Sequence, residues 1–256
     1  MSNDQPVPSR QQLVRERVWS ELRGVARPDS RFHWDFSSFI PDFEGSDACA
    51  RTVASSPEYQ AGGLVFVTPD NSLEALRHTM IVDGRTILAT TYGIGRGFLV
   101  LDGSDVTADE QWHAATLDGF ERRARAIPIE GLAALGPLGL LVTGAASVTT
   151  DGVRIGKGHG YFDLEWAILS ELGVLAPDPM LFAVVHDCQV LDLAVETSAH
   201  DVVVDAIITP SGRHEVRHGT RAPGRVDWAA LTSETVARIP CLAEVRKLLE
   251  QRRSIA

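Results

Sequence analysis

The sequence has little of what an exported or membrane protein needs. Its three cysteines, Cys49, Cys188 and Cys241, are odd in number and far apart, which argues against a disulfide framework. No stretch approaches the roughly 20 consecutive apolar residues that span a bilayer. Residues 1–9 are polar and lack the apolar segment of a secretory signal. These absences predict a cytoplasmic protein with no membrane partner.

Basic charge is also scarce. The chain carries 24 lysine and arginine residues against 34 aspartate and glutamate residues, a formal net charge of -10. A protein that grips a nucleic acid backbone usually presents a basic field, so a nucleic acid partner is not expected. A few amides and cations still suffice to hold a small anion. We therefore expect a small-molecule ligand. We also expect a monomer or homodimer, and the 44% hydrophobic residues are enough to form its core.

Short apolar segments alternate with amphipathic ones along the chain. Strands are predicted at 64–68, 85–91, 138–145 (extending to 148), 181–185 and 202–209. Helices are predicted at 10–23, 46–59 (with Ser46 as N-cap), 72–82, 164–172 and 241–252. Segments 102–137 and 210–239 show no clear period. The alternation predicts a single three-layer α/β domain with a mainly parallel sheet flanked by helices.

A glycine-rich segment carries the strongest chemical signal. After the turn Asp151-Gly152 the chain runs Arg154-Ile155-Gly156-Lys157-Gly158-His159-Gly160-Tyr161-Phe162-Asp163. Alternating glycines let backbone amides approach phosphate oxygens, and the following helix N-terminus favours negative charge. Arg154 and Lys157 add cationic charge, and Asp163 has the chemistry of a Mg²⁺ ligand. We predict a nucleotide-phosphate loop. Its spacing matches neither the Rossmann nor the Walker motif, and a plain surface turn is the alternative.

The same segment resembles the Arg-Leu-Gly-x-Gly-x-Gly-Tyr-Tyr-Asp signature of the 5-formyltetrahydrofolate cyclo-ligase family, the methenyltetrahydrofolate synthetases. Segments 139–144 and 200–209 resemble the strands that flank it in that family. Segments 15–19, 40–45 and 163–165 resemble a divergent branch, the methenyltetrahydrofolate synthetase domain-containing proteins. The resemblance covers roughly residues 10 to 210. Residues 211–256 are then expected to form a C-terminal loop and helix packed on the same cyclo-ligase-like domain.

The resemblance implies an ATP-dependent ligase of one-carbon metabolism. Members use MgATP to activate the formyl oxygen of 5-formyltetrahydrofolate as a phosphate ester, and attack by the N10 amine then gives 5,10-methenyltetrahydrofolate. The implied cofactors are ATP and Mg²⁺, and the implied substrate is a reduced folate or another formyl compound. The implied site residues are Arg15, Arg154, Gly156, Lys157, Gly158, His159, Gly160 and Tyr161 for ATP, Lys157 and Tyr161 for catalysis, Glu74 and Phe162 for the substrate, and Asp163 for the metal.

Three positions depart from the family pattern. Gln11 stands where the family usually has a lysine, Phe162 replaces the second tyrosine, and Glu74 is only the nearest match to an acidic Glu-x-x-Thr pattern after the first strand. Two alternatives therefore stay open beside the cyclo-ligase hypothesis. One is a related ATP-dependent enzyme with a different formyl or carboxyl substrate, and the other is a non-catalytic module that binds a nucleotide or folate.

Three further motifs have mainly structural interpretations. The run 92–97, with Arg96, has the glycine content of a second anion loop, although a plain turn is favoured. His186 and Cys188 have the residue types of a nucleophile pair, but a packing role is favoured. His214 and His218 have the spacing of a metal pair without supporting ligands, so zinc is not expected.

Overall fold

The computed structural model describes residues 10–195, 201–219 and 221–255. It therefore covers the predicted 200–209 segment from residue 201 onwards. Its helices are α1 (Arg10–Leu22), α2 (Ser46–Ala54), α3 (Pro57–Gln60), α4 (Glu74–Val82), α5 (Gln111–Ala115), α6 (Leu117–Arg123), α7 (Tyr161–Glu171), α8 (Ser233–Arg238) and α9 (Cys241–Ile255). None of these helices combines the length and apolar character needed to cross a membrane.

The strands form a large sheet and a small one. They are β1 (Leu64–Val67), β2 (Thr86–Thr90), β3 (Phe98–Asp102), β4 (Arg125–Ile127), β5 (Leu138–Gly144), β6 (Ser147–Thr149), β7 (Arg154–Ile155), β8 (Leu175–Val184), β9 (Val190–Leu191), β10 (Ala206–Thr209) and β11 (Gly212–Glu215). The large sheet has the order β11-β10-β8-β5-β1-β2-β3-β4, and the small one has the order β7-β6-β9.

The centre of the large sheet is parallel. Strands β10, β8, β5, β1 and β2 pair in parallel, and the outer strands β11, β3 and β4 pair antiparallel. The prediction of one α/β domain with a mainly parallel sheet is confirmed. The antiparallel edges were not predicted, because β4 and β11 lie in segments without a clear period and β3 follows a glycine-rich turn.

Both faces of the sheet are covered. All four residues of β1 are buried, with Phe66 facing α7 and α9 while Val65 and Val67 face α2 and α4. A strand that is apolar on both sides can bury that surface only when helices cover both faces of the sheet. The near-continuous apolar strands therefore predicted a covered sheet.

The structure corrects three expectations about where elements begin and end. The predicted 46–59 helix is two helices, because Pro57 has no N–H to continue the first and instead begins α3 behind the N-cap Ser56. Ser46 is not the N-cap of α2; Gly45 holds that position at φ 88°. The strand predicted at 202–209 starts only at Ala206, and Val203 forms an isolated bridge to Val153.

The C-terminal segment packs on the same core. Val226, Leu242 and Val245 are buried in the cluster that contains Trp166 of α7. The Arg252 guanidinium also donates a hydrogen bond to a carbonyl at the end of α7, that of Leu172, at 3.0 Å. The boundary predicted at residue 210 stays a prediction.

Candidate active site

A cleft of about 230 Å³ opens where three neighbouring parallel strands end. Thr68 follows β1, Tyr92 follows β2 and Gly144 ends β5, and all three line the cleft. In α/β proteins ligands bind at this edge of the sheet, because the loops diverge there and leave a crevice. The glycine-rich segment, carried by β7 of the small sheet, forms the opposite wall. The fold thus brings the predicted loop to the usual ligand edge.

The loop wall has space where side chains are missing. A Cβ built on Gly156 or Gly160 meets no heavy atom within 4 Å. Gly158 and Gly160 have φ of 103° and 65°, backbone conformations that L side chains rarely adopt. Gly160 is also the N-cap of α7, so the loop leads directly into a helix N-terminus that favours an anion.

Three cations surround this loop. Arg15 from α1 donates through Nε to the Gly156 carbonyl at 2.8 Å, and burial lowers the pKa of its guanidinium. Arg154 lies over the Phe162 ring at 4.2 Å, and its buried Nε has no hydrogen-bond partner within the described ranges. Lys157 Nζ lies 5.5 Å from the centre of the Tyr92 ring. Such a wall can neutralise a polyphosphate with side-chain charge and backbone amides.

Aromatic groups line the same wall. The rings of His159 and Tyr161 lie 5.4 Å apart, and burial together with the charge of Lys157 lowers the pKa of His159. Tyr161 also lies against Gly93, where a built Cβ would be 3.4 Å from its hydroxyl oxygen. The structure therefore brings the predicted residues from Arg15 and Arg154 through Asp163 to one cleft.

Two carboxyl groups at the floor of the cleft were not among the predicted site residues. Asp70 Oδ2 accepts hydrogen bonds from the Thr68 hydroxyl at 2.5 Å and the Gly144 amide at 3.1 Å. Glu165 is 3% exposed, accepts a hydrogen bond from the Thr90 hydroxyl, and has a pKa that burial raises to about 8. An acidic residue directly after a buried strand was the available signal for Asp70. Glu165 looks like any charged residue of an amphipathic helix.

Asp163 suits a metal ion that is shared with the phosphates of a ligand better than a metal ion held by protein side chains alone. Its Oδ1 is 3.1 Å from an Arg154 nitrogen and accepts the Val202 amide at 3.4 Å. Across the described residues there is no group of three or more histidine, cysteine, aspartate or glutamate side chains suited to a metal ion. Mg²⁺ is commonly held by one or two carboxylates together with the phosphates of a substrate. One carboxylate beside the glycine loop matches that arrangement.

The predicted substrate residues fall in different places. Phe162 lines the cleft beneath Arg154. Glu74 does not line it, because it is the first residue of α4, whose preceding turn carries Asp70 and Asn71 to the cleft instead. Burial raises the pKa of Glu74 to about 7, Arg77 opposes the rise, and Asp42 adds to it.

We expect Glu74→Gln to stabilise the protein at pH 8 and to have little effect at pH 5. The folded-state pKa of about 7 lies above the ordinary value of 4.5, so folding favours the protonated form. The raised pKa therefore adds to the free energy of unfolding fully below pH 4.5, and this stabilisation is lost as the pH rises through 7. Thermal melts at both pH values test this, with the exposed Glu130→Gln as control. An equal shift of Tm at the two pH values would contradict it.

The three secondary motifs have structural roles. Arg96 pairs with Glu121 at the edge of its turn. Cys188 lies 3.2 Å from His186 Nδ1, but burial raises the pKa of the thiol to about 11, so the pair has no thiolate nucleophile. His218 contacts Asp205 at 2.7 Å. These contacts are consistent with a turn at 92–97 and a packing role for the His186 and Cys188 pair, and the expectation about zinc stays a prediction.

The chain is an α/β protein whose cleft is lined by a glycine loop with cationic side chains on one wall and by the carboxyl groups of Asp70 and Glu165 on its floor. The family model of the 5-formyltetrahydrofolate cyclo-ligase family matches residues 7–210. This chain belongs to the 5-formyltetrahydrofolate cyclo-ligase family, which confirms the resemblance noted in the sequence.

Individual relatives agree with this assignment. The methenyltetrahydrofolate synthase domain-containing protein of Homo sapiens is 30% identical over 243 residues, which are 94% of this chain and 62% of that protein. The Danio rerio protein of the same name is 29% identical over 245 residues, 93% of this chain and 62% of that protein. The chain thus spans less than two thirds of the length of these relatives. The solved structure of Aquifex aeolicus 5,10-methenyltetrahydrofolate synthetase has the same fold, with a TM-score of 0.51, 14% identity, and coverage of 86% of this chain and 99% of that chain.

Proposed function

We propose that this protein is a MgATP-dependent cyclo-ligase that converts 5-formyltetrahydrofolate to 5,10-methenyltetrahydrofolate. The formyl oxygen attacks the γ-phosphorus of ATP and ADP leaves. The N10 amine then attacks the activated carbon, loses its proton, and phosphate departs with the former formyl oxygen. Both steps require two ligands in one cleft with their reacting atoms aligned and the phosphate charge neutralised.

The observation that supports this proposal is the polarity of the cleft. One wall carries the glycine loop with Arg15, Arg154 and Lys157, and the floor carries Asp70 and Glu165. Phosphates favour the cationic wall, and N–H groups such as those of a reduced pterin favour the carboxyl groups. A single cleft with both properties suits a reaction between a nucleotide and a nitrogen heterocycle.

Each residue of the loop wall has a role in the proposal. Gly156, Gly158 and Gly160 leave room for the phosphates, and Arg15, Arg154 and His159 surround them. Lys157 stabilises the charge that develops on the transferred phosphoryl group, and Tyr161 orients the reacting groups.

The substrate side of the cleft uses different residues. Phe162 lines the part of the cleft that would bind 5-formyltetrahydrofolate. Asp70, which lines the cleft, takes the substrate-binding role that the family resemblance implied for Glu74. Asp163 would hold Mg²⁺ against the phosphates, where the ion lowers the cost of gathering negative charge.

The proposal is tested by following the absorbance of the methenyl product from 5-formyltetrahydrofolate, with and without MgATP. We expect product only with MgATP, and Lys157→Met should lower kcat/KM by about 100-fold or more, because a fixed charge next to the phosphoryl group is lost. Lys247, the other lysine of the sequence, is exposed on α9, and Lys247→Met should leave the rate unchanged. Product without ATP, or full activity in Lys157→Met, would contradict the proposal.

Gln11 favours a second candidate function. It lines the cleft as a neutral side chain where the family usually has a lysine, so the phosphate wall has one cation fewer. A same-family enzyme acting on a different formyl or carboxyl substrate would retain ATP binding and consume ATP only with that other substrate. ATP binding without any ATP consumption, across a series of formyl compounds and carboxylates, would favour a non-catalytic module.

A further inference from the structure

The side chain of Arg77 is buried between two walls of the cleft, although it does not line the cleft itself. It is 1% exposed and belongs to α4. Its Nη1 donates to the carbonyl oxygens of Thr68 and Asp70, each at 2.9 Å, and its Nε donates to the Ala115 carbonyl at 2.7 Å. One guanidinium thus joins the turn after β1 to the end of α5.

Both of these segments contribute to the cleft. Asp70 lines its floor, and the hydrogen bond from Arg77 to its carbonyl holds the backbone of the same residue whose carboxylate accepts the Gly144 amide. On the other side Ala115 lies two residues before Leu117, which also lines the cleft. One planar guanidinium therefore ties the two segments together by hydrogen bonds.

The buried charge of Arg77 is directed at backbone carbonyls rather than at a carboxylate. Burial lowers the pKa of Arg77, the charges of Glu74, Asp70 and Asp42 oppose that effect, and no hydrogen bond from Arg77 to a carboxylate is found among the described residues. Its Nη2 is buried, and no hydrogen-bond partner for it is found among the described residues. A buried guanidinium that is not hydrogen-bonded to a carboxylate costs desolvation free energy, and an apolar side chain of similar volume would avoid that cost.

We propose that Arg77 is a positioning residue that fixes Asp70 and the opposite wall at the spacing the second ligand of the cleft requires. This inference rests on the proposed function for the identity of that ligand, 5-formyltetrahydrofolate. Arg77 acts on the substrate through Asp70, since its three hydrogen bonds go to Thr68, Asp70 and Ala115 and none of them goes to the glycine loop.

The test uses Arg77→Lys, which keeps the charge but cannot reach three carbonyls at once. We expect KM for 5-formyltetrahydrofolate to rise about tenfold while KM for ATP stays within about twofold. In Asp70→Asn, the further change Arg77→Lys should have little additional effect on that KM, because both act through one carboxylate. In Arg77→Lys, hydrogen exchange of the Gly144 amide, which donates to the Asp70 carboxylate, should accelerate about tenfold. Exchange of the Leu101 amide in β3 should stay unchanged.

Arg221→Lys is the matched control. Arg221 also donates to backbone carbonyls, those of Val203 and Pro179, and in addition pairs with Asp205 at 2.7 Å, but it does not line the cleft. It should lower Tm without changing either KM or the exchange of Gly144. Where Arg77→Lys fails to fold, Arg77→Met removes the buried charge at similar volume and is measured in the same way.

The outcomes separate this inference from the proposed function. If the unmodified protein makes no methenyl product, the proposed function fails, and selective exchange at Gly144 still decides the role of Arg77. A rise in both KM values together with faster exchange throughout the sheet would show that Arg77 only supports the fold. Unchanged exchange at Gly144 in a folded variant would overturn the inference as well.

Discussion

Gly156→Val is expected to lower ATP affinity by about 100-fold or more while the protein stays folded. The added side chain enters open space, since a Cβ at this position meets no heavy atom within 4 Å. Gly156 also lies outside the positive-φ region, in contrast to Gly158 and Gly160, so valine adds no backbone strain. The new methyl groups occupy the volume through which phosphate oxygens would approach the loop amides. Titration calorimetry with ATP, alongside a thermal melt, measures both effects.

The control for this variant is Gly139→Val. Gly139 is an exposed residue of β5 that also has no heavy atom within 4 Å of a built Cβ. The same substitution there should leave ATP affinity and Tm nearly unchanged. Normal ATP affinity in Gly156→Val would mean that the loop is a surface turn and that phosphates bind elsewhere.

Asp163→Asn is expected to remove the dependence of ATP affinity on Mg²⁺ and to reduce turnover by about 100-fold. Asparagine keeps the volume but loses the charge that a hard divalent cation requires. The substitution also weakens the contact with Arg154, whose side chain is 6% exposed, so some loss of stability accompanies the change. ATP affinity is measured with and without Mg²⁺, and Tm is measured on the same samples.

An ion pair away from the cleft separates the two effects. Glu58 accepts two hydrogen bonds from Arg213, both at 2.9 Å, and neither residue lines the cleft. Glu58→Gln should lower Tm without changing how ATP affinity depends on Mg²⁺. If Asp163→Asn behaves in the same way as Glu58→Gln, the carboxylate only orients Arg154 and the metal assignment is wrong.

The layered architecture and the glycine loop could both be recognised from local sequence features. Continuous apolar strands can be buried only on both faces, so β1, β5 and the core of β8 were visible without a structure. The glycine loop was equally visible, because its glycines, cations and helix start are adjacent in the chain. Local features of this kind depend on neighbours in sequence, and sequence records them directly.

Which acidic residues line the cleft depends on how elements that are distant in the sequence pack together. Glu74 and Asp70 are four residues apart after the same strand, and the turn between them carries Asp70 to the cleft floor and Glu74 away from it. Glu165 reaches the floor because α7 packs against the end of β2, where Thr90 donates to it. Arg77 reaches the carbonyl of Ala115, which is 38 residues further along the chain. Such placements follow from the docking of distant elements, which local periodicity and motif spacing do not specify.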